Sequence, residues 1–289
     1  MNYQAQPLAP TVGQSRADLS VPTPLETINV LGIAVSNLNM ETAVQHVNDA
    51  VRTGTKGYIC ICGAHGIVEC QTDPALRKIF NGAMAVTPDG MPLVWALHGA
   101  GHADAGRVYG PDLMREIFDR SKHTGHRHFL YGTTPTTLLK LESNLRRRYP
   151  GAIITGTYAP PFRSLTPDEE RHIAQVINDA RPDIVWVGLS TPKQDRWMAS
   201  MRGRLDAPVL VGVGAAFDFI AGNKPAAPGV LQRAGLEWAF RLVTEPRRLW
   251  RRYAKIVPRY LILRGLQKSG LRRFPIPNAD SGADPTVAR

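Results

Sequence analysis

Seven short β-rich runs, several of them apolar almost throughout, recur along the chain with helical patterns between them: Ile28–Val35, Tyr58–Cys62, Ala83–Val86, His128–Tyr131, Ala152–Thr157, Ile184–Leu189 and Val209–Val213. A strand with one wet face alternates apolar and polar residues. A strand covered on both faces does not, because each alternate side chain meets a packed layer. Runs of this kind therefore predict a parallel sheet, whose strands need crossover helices between them. The intervening segments supply these. Leu138–Arg148 and Ile173–Ala180 place apolar residues at helical spacing. Thr166-Pro167-Asp168-Glu169 reads as a capping box with Pro at the first helical position, and Thr191-Pro192-Lys193-Gln194 has the same form. The predicted class is α/β: an open, mostly parallel, Rossmann-like sheet with helices on both faces. Ligands of such sheets bind at the carboxyl ends of the strands.

Charge divides the chain. Between Arg233 and Arg273 stand twelve Lys or Arg residues against two acids, which is ten of the eleven net positive charges of the protein. The basicity belongs to a helical C-terminal appendage, residues 246–289, that follows an α/β core at 26–245. A phosphate-bearing partner, nucleic acid or an anionic membrane surface, suits such a tail. Residues 1–25 are rich in Pro, Gln, Ser and Ala, lack an apolar signal-peptide segment, and are expected to be disordered. No run of about 18 uninterrupted apolar residues occurs that would span a bilayer. Three cysteines, Cys60, Cys62 and Cys70, with no C-x-x-C pair point to a reducing compartment without structural zinc. A cytoplasmic protein is expected.

Four strand ends carry unusual residues. Val86-Thr87-Pro88 runs into Asp89-Gly90, a turn expected to be too tight for any residue but Gly to follow the carboxylate. Asp89 reads either as a turn former or as a general base at a strand end. Ile184–Val187 runs into Gly188, a loop, and a helix start with Lys193 and Gln194. Glycine lets backbone approach a ligand, and a helix start attracts phosphate. Gln194 alone is equally explained as the last member of a capping box. In "VGVGAAFDFIAG", Gly212 and Gly214 follow a strand and Asp218 lies just beyond. Phe217 holds the place of the last glycine of G-x-G-x-x-G, which argues against a nicotinamide site. Asp218 could accept hydrogen bonds from a ribose or be a solvated turn residue. Arg107 precedes a Gly-Pro-Asp helix start, and His65 follows the strand of Cys60 and Cys62. The chain has no D-x-D, H-E-x-x-H, G-K-[ST] or G-x-S-x-G motif.

Five stretches taken together resemble the WecG/TagA/CpsF glycosyltransferase family: "TPDGMPLVW", "RVYGPDLM", "DIVWVGLSTPKQDRW", "VLVGVGAAFDFIAGNKPAAP" and "GLEWAFRLVTEPRRLWRRY". "CICGAHGIVECQTDP" and "YAPPFR" look like the branch that adds glucose in xanthan- or acetan-type exopolysaccharide synthesis. The resemblance implies transfer of a sugar, with inversion and without a metal cofactor, from a UDP-sugar donor to a sugar on a polyprenyl diphosphate. UDP-glucose is favoured as donor, and UDP-N-acetylmannosamine stays open. Asp89, followed by Gly90, matches the position of the catalytic base. Arg107 matches a diphosphate-binding arginine. Gln194 and Asp218 match positions lining the donor site, to which the residue reading adds His65, Gly188, Lys193 and Gly214. Arg241, Arg248 and Arg251 match basic residues of an appendage that helps close the active site at the inner face of the membrane. Two departures stand out. Cys62-Gly63-Ala64 takes the place of a T-x-N pair, and Pro160-Pro161-Phe162 that of a Gly-Tyr-Phe segment.

The implied chemistry is consistent with these residue types. Inversion needs a base for the acceptor hydroxyl proton, and the departing UDP needs its charge met by arginines or backbone amides when no metal serves. The competing class is an RNA- or nucleotide-binding protein with a basic arm. An RNA binder interleaves exposed aromatics with its cations over a sheet face or groove. Here the cations gather along one helix, so a nucleic-acid partner is not expected. Homo-oligomerisation is left open.

Overall fold

The computed structural model describes residues 24–225, 227–228, 230–231 and 237–277. The expectation of disorder over 1–25 thus falls almost wholly outside the described residues, as does the appendage beyond 277. Six strands form one wholly parallel sheet: β3 (Gly57–Cys62), β4 (Ala85–Pro88), β5 (Arg127–Gly132), β6 (Ile153–Tyr158), β7 (Ile184–Gly188) and β8 (Val209–Gly212), in the order β4-β3-β8-β7-β5-β6.

The first predicted strand, Ile28–Val35, is two. β1 (Thr27–Val30) and β2 (Ile33–Ser36) form an antiparallel hairpin. The turn is Leu31-Gly32, both with positive φ, the geometry of a tight two-residue hairpin. A Cβ on Gly32 would lie 3.1 Å from the Pro275 carbonyl. The hairpin covers the edge strand of the sheet: Ser36 Oγ accepts from the Val86 amide at 3.1 Å. This satisfies a donor that the ladder leaves over.

Helices lie on both faces, as predicted. On one side are α2 (Ala64–Glu69), α3 (Pro74–Asn81), α4 (Met91–His98), α7 (Pro167–Asp179) and α8 (Lys193–Met201), packed on Cys60, Cys62, Phe129, Tyr131, Val185, Val187 and Leu210. On the other are α1 (Met40–Thr53), α5 (Gly110–Thr124), α6 (Pro135–Arg148) and α9 (Ala216–Ile220), packed on Ile59, Leu130, Ile184, Trp186, Val209 and Val211. Successive strand residues thus serve opposite layers, which is why the runs read as continuously apolar. The second layer contains one polar chain. Trp186 Nε1–H donates to His128 Nδ1 at 3.1 Å, so the ring proton sits on Nε2 and donates to Ser121 Oγ at 2.7 Å. Ser121 donates in turn to the Ile117 carbonyl at 2.6 Å. Burial holds His128 neutral, with its pKa pushed down to about 3.

The predicted capping box at 166–169 is present: Thr166 and Glu169 exchange side-chain-to-backbone bonds, and Pro167 is the first residue of α7. The one at 191–194 is not. Thr191-Pro192 is a cis peptide, Pro192 is the N-cap, and no side chain caps α8. Gln194 turns inward and is buried.

Two helices follow, α10 (Glu237–Thr244) and α11 (Pro246–Lys268), with Pro246 in the first turn, where its missing N–H costs nothing. At about 100° per residue the sequence puts Leu249, Trp250, Tyr253, Ile256 and Val257 on one face of α11, opposite Arg248, Arg251, Arg252 and Lys255, and in the structure that apolar face splits in two. Leu249, Tyr260 and Leu263 are buried, with Ile256 partly so, and Tyr260, Leu263, Ile256 and the following Phe274 join the first layer of the core. Trp250 and Val257 point outward instead, beside exposed Leu261 and Ile262. The reason is helical phase. The inward stripe 249-253-256-260-263 alternates steps of four and three, and Trp250 and Val257 lie just beyond its edge. The appendage is therefore packed into the core. Tyr260 donates to the Pro92 carbonyl at 3.3 Å, and Gln267 Oε1 accepts from the Leu31 amide at 3.1 Å.

Candidate active site

A parallel sheet aims all its strand ends at one rim. Asp89 stands on that rim as the residue after β4, and its amide donates to the Cys62 carbonyl at the end of β3, 2.9 Å away. The chain then makes α4 and comes back. Val108 N–H bonds the Pro88 carbonyl at 2.9 Å, and Arg107 Nε–H donates to the Asp89 carbonyl at 2.7 Å. Gly106 permits this return, since a Cβ there would meet Asn39 Cβ at 3.1 Å. The sequence expectation for Gly90 needs correction. Its φ of −112° and ψ of 148° are ordinary extended backbone, open to any residue. A Cβ at Gly90 would have only ordinary contacts, and one at Gly63 would lie 3.8 Å from Asp89 Oδ2. Two side-chain-free residues thus flank the Asp89 carboxylate and leave space beside it.

Arg107 and Arg241 converge. The Arg107 guanidinium carbon lies 4.2 Å from the centre of the Tyr109 ring, and that of Arg241 lies 5.8 Å from the same ring. Arg241 Nη2 also donates to Tyr109 Oη at 2.8 Å and stacks 4.9 Å over Phe219. Contacts of this kind hold two like charges near each other at roughly 0.5–2 kcal/mol apiece. The pair forms a cationic corner next to Asp89. Neither Tyr109 nor Phe219 was singled out from sequence, although both lie inside the quoted motifs. An aromatic beside an arginine was the available signal, and the 132-residue separation of Tyr109 and Arg241 concealed it.

The Gly-x-Gly after β8 has a packing reason. A Cβ at Gly212 would lie 2.9 Å from Gln194 Nε2 and 2.7 Å from Met198 Cε, and one at Gly214 3.5 Å from Gln194 Oε1. Gly212 makes room for a buried amide whose Oε1 has no hydrogen-bond partner among the described residues, while Gly214 serves the positive φ of 54° in the turn. Gly188 is also enclosed, because a Cβ there would enter the Phe217 ring at 2.4 Å. Asp195, next to Gln194, is fully buried and faces Cys60 and Thr191, though neither oxygen makes a bond of regular geometry. Burial raises its pKa above the ordinary carboxylate value.

The remaining predicted residues spread out from this centre. His65, in the first turn of α2, is 2.7 Å from Glu69 through Nε2. Its pKa is pushed down to about 4, first by burial and then by Arg252, so it is neutral at pH 7 and donates Nε2–H to the carboxylate. Asp218 pairs with Lys224 at 3.6 Å, and Lys224 also reaches Glu245 at 3.8 Å. Lys193 opens α8 and is exposed. Arg251 is exposed with its guanidinium 5.5 Å over the Trp250 ring and, among the described contacts, does not join the Tyr109 cluster. The Arg248 side chain lies outside the described residues.

A carboxylate with a glycine beside it and two arginines on one aromatic ring nearby is of the type that takes a proton from a hydroxyl while an anion is held. Comparison with known proteins agrees with chemistry of this kind. Over 235 residues, 81% of this chain and 88% of the relative, the protein is 29% identical to an N-acetylglucosaminyldiphosphoundecaprenol N-acetyl-beta-D-mannosaminyltransferase of Bacillus spizizenii. It is 26% identical over 227 residues, 78% of this chain and 87% of the relative, to a protein of the same name from Staphylococcus aureus. The glycosyl transferase WecG/TagA/CpsF family model matches residues 28–273, from the hairpin through α11, and the chain belongs to that family of glycosyltransferases.

Proposed function

We propose that the protein moves a hexose from a UDP-sugar to a sugar carried on a polyprenyl diphosphate, with inversion, in the synthesis of an exopolysaccharide or other cell-surface polysaccharide. The observation that carries this reading is the Asp89 carboxylate, flanked by Gly63 and Gly90 and bordered by Arg107. Asp89 takes the proton of the acceptor hydroxyl as its oxygen bonds the anomeric carbon. The bond from that carbon to the UDP oxygen breaks in the same displacement. Arg107 and Arg241 meet the charge that develops on the diphosphate, so no divalent cation is required. Gln194 lies beneath the β8 turn with its amide buried, and supports the turn that borders the donor.

The acceptor class is supported by the names of both relatives. For the donor, those names point to N-acetylmannosamine, whereas the departures at Cys62-Gly63-Ala64 and Pro160-Pro161-Phe162 point to glucose. We favour UDP-glucose because both departures border strand ends.

The surface of α11 supports a peripheral site of action at the inner face of the membrane. No helix among the described residues is long and apolar enough to cross a membrane. Yet Trp250 is 53%, Val257 47%, Leu261 63% and Ile262 62% exposed. Exposed Arg251, Lys255 and Arg259 flank them. This is the composition of a helix lying in a bilayer interface, and each cation contributes about 1 kcal/mol near an anionic leaflet. The deciding experiment offers a panel of UDP-sugars with a polyprenyl-diphosphate-linked sugar, in EDTA. Transfer from UDP-glucose is expected, and retention of radiolabelled RNA in place of any transfer would favour the nucleic-acid reading.

A further inference from the structure

The Glu69–His65 pair leaves one ring nitrogen unused. His65 stands in the first turn of α2, four residues before Glu69, so the two side chains share one face of the helix. His65 Nε2 lies 2.7 Å from Glu69 Oε1. An ionised carboxylate can only accept, so Nε2 carries the ring proton and Nδ1 keeps its lone pair. Among the described residues Nδ1 has no hydrogen-bond partner, and it is not sealed away from solvent. The ring lines a cleft of about 690 Å³ between α11 and the α2–α3 segment. Charges of both signs face this space. Glu69 keeps its negative charge beside a histidine that burial holds neutral, while Lys255 and Arg252, which has contacts of its own, enter from α11. Val68 and Ile256 add apolar patches, and Thr191 adds a hydroxyl. A wall that mixes donors, acceptors and apolar patches fits a ligand with hydroxyl groups and C–H faces, a sugar, better than a bare anion or a hydrocarbon.

The imidazole belongs to the same corner of the rim as the base. A Cβ on Gly63 would lie 3.8 Å from Asp89 Oδ2, and His65 follows Gly63 by two residues, at most about 7.6 Å between Cα atoms. From Cys62 to Val68, His65 has the only side chain with a nitrogen or oxygen atom, so a hydroxyl read by this segment is read through that ring. The Arg107–Tyr109–Arg241 corner shares no residue with the cleft. In the transfer proposed above, that corner meets the donor diphosphate, and the acceptor is the substrate whose hydroxyl Asp89 deprotonates. We infer that His65 is a specificity-determining residue for the acceptor: its Nδ1 accepts a hydrogen bond from a second hydroxyl of the sugar whose first hydroxyl meets Asp89, and Glu69 holds the ring in the tautomer this requires. The inference rests on that functional reading.

Two substitutions separate the ring nitrogens. Asparagine places its amide oxygen near the position of Nδ1, and glutamine places its amide nitrogen near that of Nε2. His65→Asn therefore keeps the acceptor atom and loses Glu69, whereas His65→Gln keeps the bond to Glu69 and loses the acceptor atom. The assay uses a short-chain, water-soluble prenyl diphosphate that carries glucose or N-acetylglucosamine. His65→Gln should raise the KM for this acceptor about five- to tenfold, the loss of one hydrogen bond, with the KM for UDP-sugar changed less than about twofold, and His65→Asn should recover most of the loss. Acceptors lacking one hydroxyl at a time locate the contact: one of them should be about five- to tenfold poorer for the wild type and no poorer for His65→Gln. An unchanged acceptor KM in His65→Gln, or a donor KM that rises with it, overturns the assignment. A loss as great or greater in His65→Asn also overturns it, and makes His65 a structural partner of Glu69. Binding of the same acceptor without donor distinguishes this failure from that of the functional reading. If His65→Gln weakens binding but no UDP-sugar supports transfer, the sugar site stands and the transferase reading fails. Transfer by the wild type with acceptor binding unaltered in His65→Gln removes the site and leaves the transferase reading intact.

Discussion

Gly212→Ala is expected to clash with Met198 and Gln194, and one compensating change at Gln194 should relieve the second of these clashes. The added Cβ would lie 2.7 Å from Met198 Cε, 2.9 Å from Gln194 Nε2 and 3.1 Å from Gln194 Cδ. Met198 and Gln194 are both buried, so neither can swing into solvent. Overpacking of this kind costs about 1–3 kcal/mol. Gln194→Ala by itself removes a buried amide whose Oε1 has no partner, so part of the cavity cost is offset by removing a poorly satisfied polar group. In the double variant the alanine Cβ at 212 occupies space that the amide vacates. The two changes should therefore couple, with the pair less destabilising than the sum of the singles by at least about 1 kcal/mol. Urea denaturation followed by tryptophan fluorescence reads this directly, because buried Trp186 and Trp197 lie on β7 and α8. Melting temperature should fall by roughly 2–4 °C per kcal/mol for a domain of this size. Additive destabilisation would refute the claim that Gly212 makes room for Gln194.

Other perturbations separate the remaining parts. His128 is neutral in the fold, with its pKa near 3, and takes a proton near pH 6.5 when unfolded, so it destabilises the fold increasingly as pH falls from about 6.5 toward 3. His128→Gln should flatten the stability-versus-pH slope between pH 6 and 4 by about one proton, roughly 1.4 kcal/mol per pH unit, and an identical slope would contradict the Trp186–His128–Ser121 account. Tyr109→Phe keeps the ring under both guanidinium groups but removes the 2.8 Å bond from Arg241, and should raise the donor KM severalfold. Tyr109→Leu should raise it further, and equal effects would leave the stacking without a role. Replacing Trp250, Val257 and Leu261 by Ser should weaken retention on anionic vesicles without lowering the melting temperature, because these side chains are exposed. A large loss of stability would instead place that stripe in the core.

The sheet was legible because burial on both faces leaves a mark that no other element leaves: every run from Tyr58 onward became a parallel strand, displaced by no more than two residues. The hairpin was not, because Leu31 continues the apolar run and conceals a turn whose only signal is Gly32. The cap at Thr191 failed for a related reason. A short pattern fits two geometries, and burial of Gln194 and Asp195 chose the other. On α11 the spacing of apolar residues was visible, but which of two adjacent stripes faces inward depends on the layer it meets. Asp89 was found as a strand-end residue, whereas Arg107, grouped with the strand ends from its motif, follows no strand and stands before α5. Their contact and the Tyr109 ring shared with Arg241 are long-range facts that local pattern does not encode.

The account depends most on Asp89 as the base. Asp89→Asn keeps the shape and the backbone bonds to Cys62 and Arg107 while removing the basic oxygen. The measurement is single-turnover transfer from UDP-sugar to the lipid-linked acceptor by wild type and variant, with donor affinity determined in parallel. The predicted result is a rate lowered by roughly 10²–10⁴ with donor affinity nearly unchanged. Turnover within a few-fold of wild type would contradict the central claim and take proton abstraction away from the end of β4.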